Sequence, residues 1–452
     1  MESICNRYFF KIIYNKNRPL IGLFLCLIFL LSNIFGQETD SYKNPVISAI
    51  DIQGLQNTKR YIIEREIQHP LNIPIDSSLV EKDRNRLENL GIFSEVTWNE
   101  LPLEDGTSIL NFRVIESISL LPIFSPVYNE EMGWFLILGT RLNNFRGRNE
   151  KLLLRGRIGN VSAYDVIFKN PWFFGDHVSI AFNFSKQIFE HYFLPYRQAT
   201  QEFKINIGRY FGYEKQLIAG IELKKKEYFG QDTTSFYYLS PDLIAVYDTR
   251  DIYNDPSKGM YIFYYGKYFR HLNQIEPEST IAWTQSYSAY YSPIKGKRKT
   301  TLGFNLNISS ITGFRNEYWL GSLGGVNSVR GWRIPSREIY SDQSQSYRFG
   351  YLRAISSLEI RQTIIPKYAF QSPSYFGPIR SELGLQTTLF IDLGIAVNNW
   401  EDLSDSAPMI GTGIGIRIPV AISGNVRLDY GWSFYNGEYI ERVLLFGIGQ
   451  KF

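Results

Sequence analysis

From residue 118 to residue 452 the chain repeats one pattern. Runs of roughly ten residues alternate apolar with polar or small side chains, and Gly, Asn, Asp, Pro or Ser separates the runs. Leu389, Ile391, Leu393, Ile395 and Val397 share one face of such a run; Phe390, Asp392, Gly394 and Ala396 share the other. Ile414, Ile416 and Ile418 oppose Gly413, Gly415 and Arg417, and Val426, Leu428, Tyr430 and Trp432 oppose Arg427, Asp429 and Gly431. A period of two marks strands whose two faces meet different surroundings. In each run the charge sits with the glycines, away from the apolar face. A Lys or Arg facing lipid at mid-membrane costs ~2–4 kcal/mol, whereas one facing a barrel interior need not. The pattern predicts a mainly β fold of roughly sixteen antiparallel strands over 118–452, closed into a transmembrane β-barrel. One long interruption, residues 314–348, separates two of these strands, and a loop that long in a compact fold is usually functional or disordered.

Residues 45–117 have a different texture. Val46, Ser48, Ile50 and Ile52 predict a short strand ending at Gly54. Asn57 and Thr58 are placed to cap a helix running to about Gln68, where His69 and Pro70 stop it. Asp76 is placed to cap a second helix with Leu79, Val80, Leu87 and Leu90 on one side, ended by Gly91. Residues 92–98 and 107–115 alternate as two strands joined by a turn at Glu104, Asp105 and Gly106. The order strand, helix, helix, strand, strand suits a small α+β domain with helices on one sheet face.

Composition narrows the class. The chain is 16% aromatic, with 31 Tyr and 32 Phe, yet its mean hydropathy is only -0.19. A barrel reconciles the two, because its strands average apolar outside with polar inside. At the start, Arg7, Lys11, Lys16 and Arg18 precede an apolar run over 20–31, shorter than the ~20 residues of a spanning helix. With Gly36 before a cut at Gln37, residues 1–36 read as a secretory signal peptide. Both cysteines, Cys5 and Cys26, fall inside it, so disulfides and thiolate metal sites are not expected beyond it. Most of the formal net charge of +4 leaves with this leader, which argues against a nucleic-acid partner. His69, His177, His191 and His271 are scattered without metal spacing, and no Ser/His/Asp order stands out. Neither a cofactor nor a catalytic site is expected. Gly411, Gly413 and Gly415 alternate within a strand and predict a smooth inner wall or a place of tight curvature. Lys224, Lys225 and Lys226 read as a solvated strand end or a patch for lipid headgroups.

Several segments resemble the POTRA-bearing barrels of the BamA/TamA type, which assemble or translocate outer-membrane polypeptides. Residues 45–117 look like one POTRA domain, with Leu87, Leu90, Gly91, Phe93 and Val96 at its typical spacing. Tyr164, Asp165 and Val166 through Asn170, Pro171, Trp172 and Phe173 resemble an early barrel hairpin of this family. Asp248, Thr249, Arg250 and Asp251, followed by Pro256 and Gly259, resemble its mid-barrel turn. The sharpest match is Val329-Arg330-Gly331-Trp332 inside the long loop, with Trp332 where Phe or Tyr is commoner. The resemblance implies that this motif tucks into the lumen and that Arg330 meets acids on inner-facing strand positions. Glu359 and Asp392 match those acids, and the alternation independently puts both on the inner face. The resemblance also makes Phe452 the end of a strand-borne assembly signal, with Leu444, Phe446 and Ile448 before it.

The expected function is non-enzymatic insertion or translocation of other polypeptides at the outer membrane, with POTRA in the periplasm. Unfolded or secreted clients, outer-membrane lipids and periplasmic accessory proteins are the expected partners. A passive pore or uptake channel, and a membrane-anchored interaction protein, are the competing readings. Pro122 and Pro126 lie in the first strand, and proline gives no ladder hydrogen bond. Together with Gly447 and Gly449 in the last strand they mark a seam where a client strand could enter, provided the prolines face that last strand.

Overall fold

The computed structural model describes residues 44–452 apart from 130, 176, 231, 274–278, 373–378 and 421–423. The leader expected over 1–36 lies outside the described residues.

The first unit has strands β1 (Val46–Gln53), β2 (Phe93–Pro102) and β3 (Thr107–Glu116), and helices α1 (Tyr61–Glu64) and α2 (Ser77–Asn89). Its sheet runs β1-β3-β2, with β1 parallel and β2 antiparallel to β3. The helices pack Ile62, Ile63, Val80 and Leu87 against Ile47, Phe112 and Val114. Asp76 caps α2 as expected, accepting from the N–H groups of Ser78 and Leu79. The strand expected at Val46, Ser48, Ile50 and Ile52 differs in its facing. A bulge between Ile47 and Ala49 shifts the parity, so Ile47 and Ile52 are the buried pair.

Helix α1 is far shorter than expected. Thr58 does not cap it; the Glu116 carboxylate takes the N–H groups of Gln56, Asn57 and Thr58. At the other end the fully buried Asp83 takes the N–H groups of Gln68 and His69 and pairs with Arg86. Removing this carboxylate leaves two buried donors and a cation without it. Asp83→Ala is therefore expected to cost about 3 kcal/mol locally. Hydrogen exchange on the full chain should show lost amide protection over 62–69; unchanged protection would remove Asp83 from this role.

Sixteen strands then form one antiparallel sheet. Its first half is β4 (Leu120–Asn129), β5 (Gly133–Phe145), β6 (Glu150–Gly159), β7 (Val161–Asn170), β8 (Val178–Glu190), β9 (Arg197–Phe211), β10 (Lys215–Phe229) and β11 (Thr233–Asp248). The second half begins with β12 (Lys258–His271), β13 (Ser279–Ile294) and β14 (Thr300–Gly313). The long loop follows and carries the two-residue strands β15 (Gly321–Ser322) and β16 (Phe349–Gly350), with α3 (Arg337–Ser341) between them. The sheet resumes with β17 (Leu352–Ser372), β18 (Ile379–Val397), β19 (Met409–Val420), β20 (Gly424–Tyr435) and β21 (Glu438–Ile448). Strands β17 and β18 reach 21 and 19 residues, about twice the expected run. Among the described residues no ladder joins the two terminal strands, β4 and β21.

The sheet is apolar on the outside. Leu358, Ile360, Leu389, Ile391, Ile414, Ile416, Leu444 and Phe446 are exposed, while Glu359, Phe390, Asp392, Arg417 and Asp429 between them are buried. So large an apolar surface facing outward requires lipid rather than water. The lysines of β10 are divided by the same alternation. Lys224 faces inward and pairs with Glu222 at 2.7 Å and Glu202 at 3.1 Å. It belongs to an inner network with Lys267, Lys204 and Asp242, neither a solvated strand end nor a headgroup patch.

Candidate functional site: the lumen motif and the free edge

The long loop turns back into the lumen and places Val329-Arg330-Gly331-Trp332 against β18, β19 and β20. Val329 and Trp332 are fully buried with Leu323, Ala396 and Met409, and the Trp332 indole N–H donates to Ile410 O at 2.9 Å. Gly331 has φ +92 and lies against the Trp432 backbone, so only glycine fits. The inner-wall glycine Gly411 meets the Arg330 carbonyl where a Cβ would sit. The small residues expected to smooth the wall instead let the motif's backbone press onto it.

Arg330 is fully buried. Its Nε and Nη2 donate to the two oxygens of Asp392 at 2.8 and 2.9 Å, and its backbone N–H donates to the same carboxylate at 2.9 Å. Nη1 pairs with Glu359. The guanidinium lies 3.8 Å over the Phe390 ring. A planar fork on one carboxylate, a second acid and an aromatic face together satisfy a charge that would otherwise be costly to bury.

The cluster is larger than the sequence reading had it. Asp429 pairs with Arg417 at 2.6 Å and Arg427 at 3.4 Å, Arg361 pairs with Glu359 at 2.6 Å, and Lys451 pairs with Asp392 at 2.8 Å. Arg417, Arg427 and Asp429 stood on the inner face of the alternation, so that signal was available. Arg427 also donates to Val326 O and Asn327 Oδ1, tying a second point of the loop to β20. Gly447, taken as a flexible seam residue, lies against this guanidinium and Val326, so it supplies room.

Phe452 departs from its expected place. Strand β21 ends at Ile448, Gly449 takes φ +86, and the chain turns inward. Gln450 donates to Gln386, the Lys451 ammonium donates to Ser357 Oγ at 2.8 Å, and Phe452 lies under the Arg361 guanidinium near Tyr290. The pairing of Lys451 with a buried carboxylate outweighs continued alternation, because leaving Asp392 one cation short is expensive. Lys451→Ala is expected to release residues 449–452. A cysteine placed at Gln450 should then react with a soluble maleimide about tenfold faster; an unchanged rate would show that Lys451 does not hold the segment.

At the other side of the gap, Asn143 N donates to Ser119 O, continuing the β4–β5 register. Odd-numbered residues of β4 thus bond to β5, and even-numbered ones turn their backbone groups away. Pro122 and Pro126 are even, so both missing donors lie on the free edge.

The first unit grips the underside of the barrel. Asn144 Nδ2 donates to Thr58 Oγ1 at 2.7 Å and Lys59 N donates to Gly147 O at 3.0 Å. Arg65 lies over Trp172 and Arg86 over Tyr213. Glu116 organises this clasp. Partial burial alone would raise its pKa, but the N–H groups of Gln56, Thr58 and Asn57 outweigh burial and hold it below the usual carboxylate range. Its stabilisation is present above that range and is lost as pH falls through the lowered value. At the far end of the lumen, Phe193, Leu194 and Tyr196 fold inward onto Tyr228, Tyr238, Trp319 and Phe349. His191 in this loop is driven down to about 4 by burial, then by Arg337 and Lys226. Among the described residues no His, Cys, Asp and Glu group could hold a metal.

Comparison with known proteins places this geometry. The profile of the Omp85 superfamily domain matches residues 144–452, and the POTRA profile, described as a surface antigen variable number repeat, matches residues 45–117. Two curated relatives carry the name outer membrane protein assembly factor BamA. That of Neisseria meningitidis serogroup B is 24% identical over 148 residues, 32% of this chain and 18% of that protein. That of Neorickettsia risticii is 29% identical over 140 residues, 31% of this chain and 19% of that protein. The matches thus span less than a fifth of either relative. Among solved structures, BamA from Haemophilus ducreyi lacking POTRA domains 1-3 aligns with TM-score 0.54 at 17% identity, over 90% of this chain and 86% of that one. CdiB from Escherichia coli aligns with TM-score 0.51 at 10% identity, over 91% and 92%. These likenesses establish a shared fold.

Proposed function

The chain belongs to the Omp85 superfamily, and from that premise we propose that it inserts or translocates other polypeptides at the outer membrane. It is an outer-membrane protein with its POTRA domain in the periplasm. The observation that carries the proposal is the free edge. Among the described residues, a sheet of sixteen strands ends on β4 and β21 without a ladder between them. Two prolines lower the donor count of one edge, and Lys451 draws the end of the other into the lumen. An unpaired edge offers backbone hydrogen bonds to an incoming strand with little demand on its sequence.

POTRA presents a second such edge. The outer side of β1 is partly taken by residues 72–75, through Asn72 N to Ile47 O and Ile75 N to Pro45 O. The outer side of β2 remains for an extended client. Client polypeptides, outer-membrane lipids and periplasmic accessory proteins are the partners of this reading, and the role is non-enzymatic. A passive pore fits less well, because the loop motif and the aromatic cluster occupy the lumen. Depleting the protein and comparing outer-membrane and secreted proteomes tests the proposal. Loss of a defined set of barrel or exported proteins is expected; unaltered proteomes would favour the pore.

A further inference from the structure

The outer face of the sheet carries polar side chains at the far end of β13 and β14, beside β17 and β18. Leu302 and Phe304 are exposed on the outer face of β14, so alternation puts Ser310 and Thr312 on that face too. Their cross-strand partners on β13 are Trp283 and Ile281. Leu352 and Val397 pair across β17 and β18, also pointing outward, yet both are buried. Their cover is the segment after β18, which folds back along the outside of the barrel. Trp400 from this flap stacks on Trp283 with ring centroids 5.7 Å apart and planes 7° apart. Arg315 pins the flap through Nη1 to Asn398 O at 2.8 Å and Nη2 to Asn399 Oδ1 at 3.0 Å.

A cavity of about 520 Å³ opens between flap and strands, lined among others by Ser310, Thr312, Arg315, Asn398, Trp400 and Glu401. The hydroxyls of Ser310 and Thr312, the Asn398 amide and the Glu401 carboxylate have no side-chain hydrogen bond or ion pair among the described residues. Ser310 is buried in the pocket floor, whereas Thr312, Asn398 and Glu401 open towards solvent, so the pocket is an accessible polar recess beside an aromatic face. We propose that this pocket holds the saccharide headgroup of an outer-leaflet glycolipid. Sugar hydroxyls satisfy the four uncommitted groups. The half-exposed Trp400 indole offers a flat apolar face to the C–H side of a pyranose. Phosphate is the poorer match, because Arg315 is already engaged and Glu401 adds negative charge. The acyl chains would continue along Ile308 and Leu306, the next outer-face positions of β14, towards the exposed Phe304. Aromatic residues at this level of a barrel suit the interface between headgroups and hydrocarbon.

This inference rests on the outer-membrane placement. The test uses the full chain, purified in a detergent without a sugar head, with purified lipopolysaccharide as the probe. Retained lipid is measured after gel filtration. Wild type should retain it, a maltose-headed detergent should displace it, and phosphatidylglycerol should not. Trp400→Ala and the isosteric Glu401→Gln should each weaken retention about tenfold while keeping heat-modifiable migration on a gel. Undiminished retention by both variants would overturn the site, and displacement by phosphatidylglycerol would overturn its sugar chemistry. Absence of heat-modifiable migration in wild type would instead overturn the barrel placement beneath it.

Discussion

Arg330→Ala is expected to free the long loop from the lumen and abolish function. The substitution removes three side-chain hydrogen bonds to Asp392 and Glu359 together with the stack on Phe390. Breaking a buried ion pair from one side typically costs ~3–5 kcal/mol. Here the lower end, about 3 kcal/mol, is expected, because Asp392 keeps Lys451 and Glu359 keeps Arg361. Those cations belong to β17 and to the segment after β21, so they hold the acids without holding the loop. Arg330→Lys should also fail, since an ammonium cannot bridge both oxygens of Asp392 while reaching Glu359. Limited proteolysis of residues 314–348 gives the readout: rapid cleavage in both variants is expected, and wild-type resistance in both would refute the bracing role.

The second large effect concerns the free edge. Covalently joining β4 to β21 should stop activity, and reduction should restore it. The cysteines of the chain, Cys5 and Cys26, lie in the expected leader, so introduced pairs have no competing thiol beyond it. Ile123→Cys combined with Val443→Cys or Leu445→Cys samples the inner side of the gap. A disulfide needs Cα atoms about 4.4–6.8 Å apart, so the pair that forms also reports the register the edges visit. A crosslinked protein of full activity would rule out the gap as an entry site.

Alternation is a local signal, and what depended on it was legible in the sequence. The strand number, the outward faces of β18, β19 and β20, and the inward aim of Glu359 and Asp392 all follow from period two. What depended on contacts between distant segments was not. Helix α1 is short because Glu116 and Asp83, far along the chain, claim N–H groups that a helix would otherwise place. Phe452 leaves the strand because Gly449 permits φ +86, Lys451 finds Asp392 and Phe452 lies under Arg361; Asp392 and Arg361 are both distant in sequence. Asp429 shows the intermediate case. Its face was readable, but its sharing by Arg417 and Arg427 required the three-dimensional arrangement.

The role proposed for this barrel is to help other polypeptides across or into a membrane through its free edge. Vesicles containing the purified full chain, mixed with an unfolded outer-membrane barrel as client, test it directly. The client is expected to become heat-modifiable and protease-protected, or to enter the vesicles, faster than with empty vesicles. That gain is expected to vanish when β4 and β21 are crosslinked and to return on reduction. Equal rates with and without the protein, or a gain indifferent to the crosslink, would contradict it.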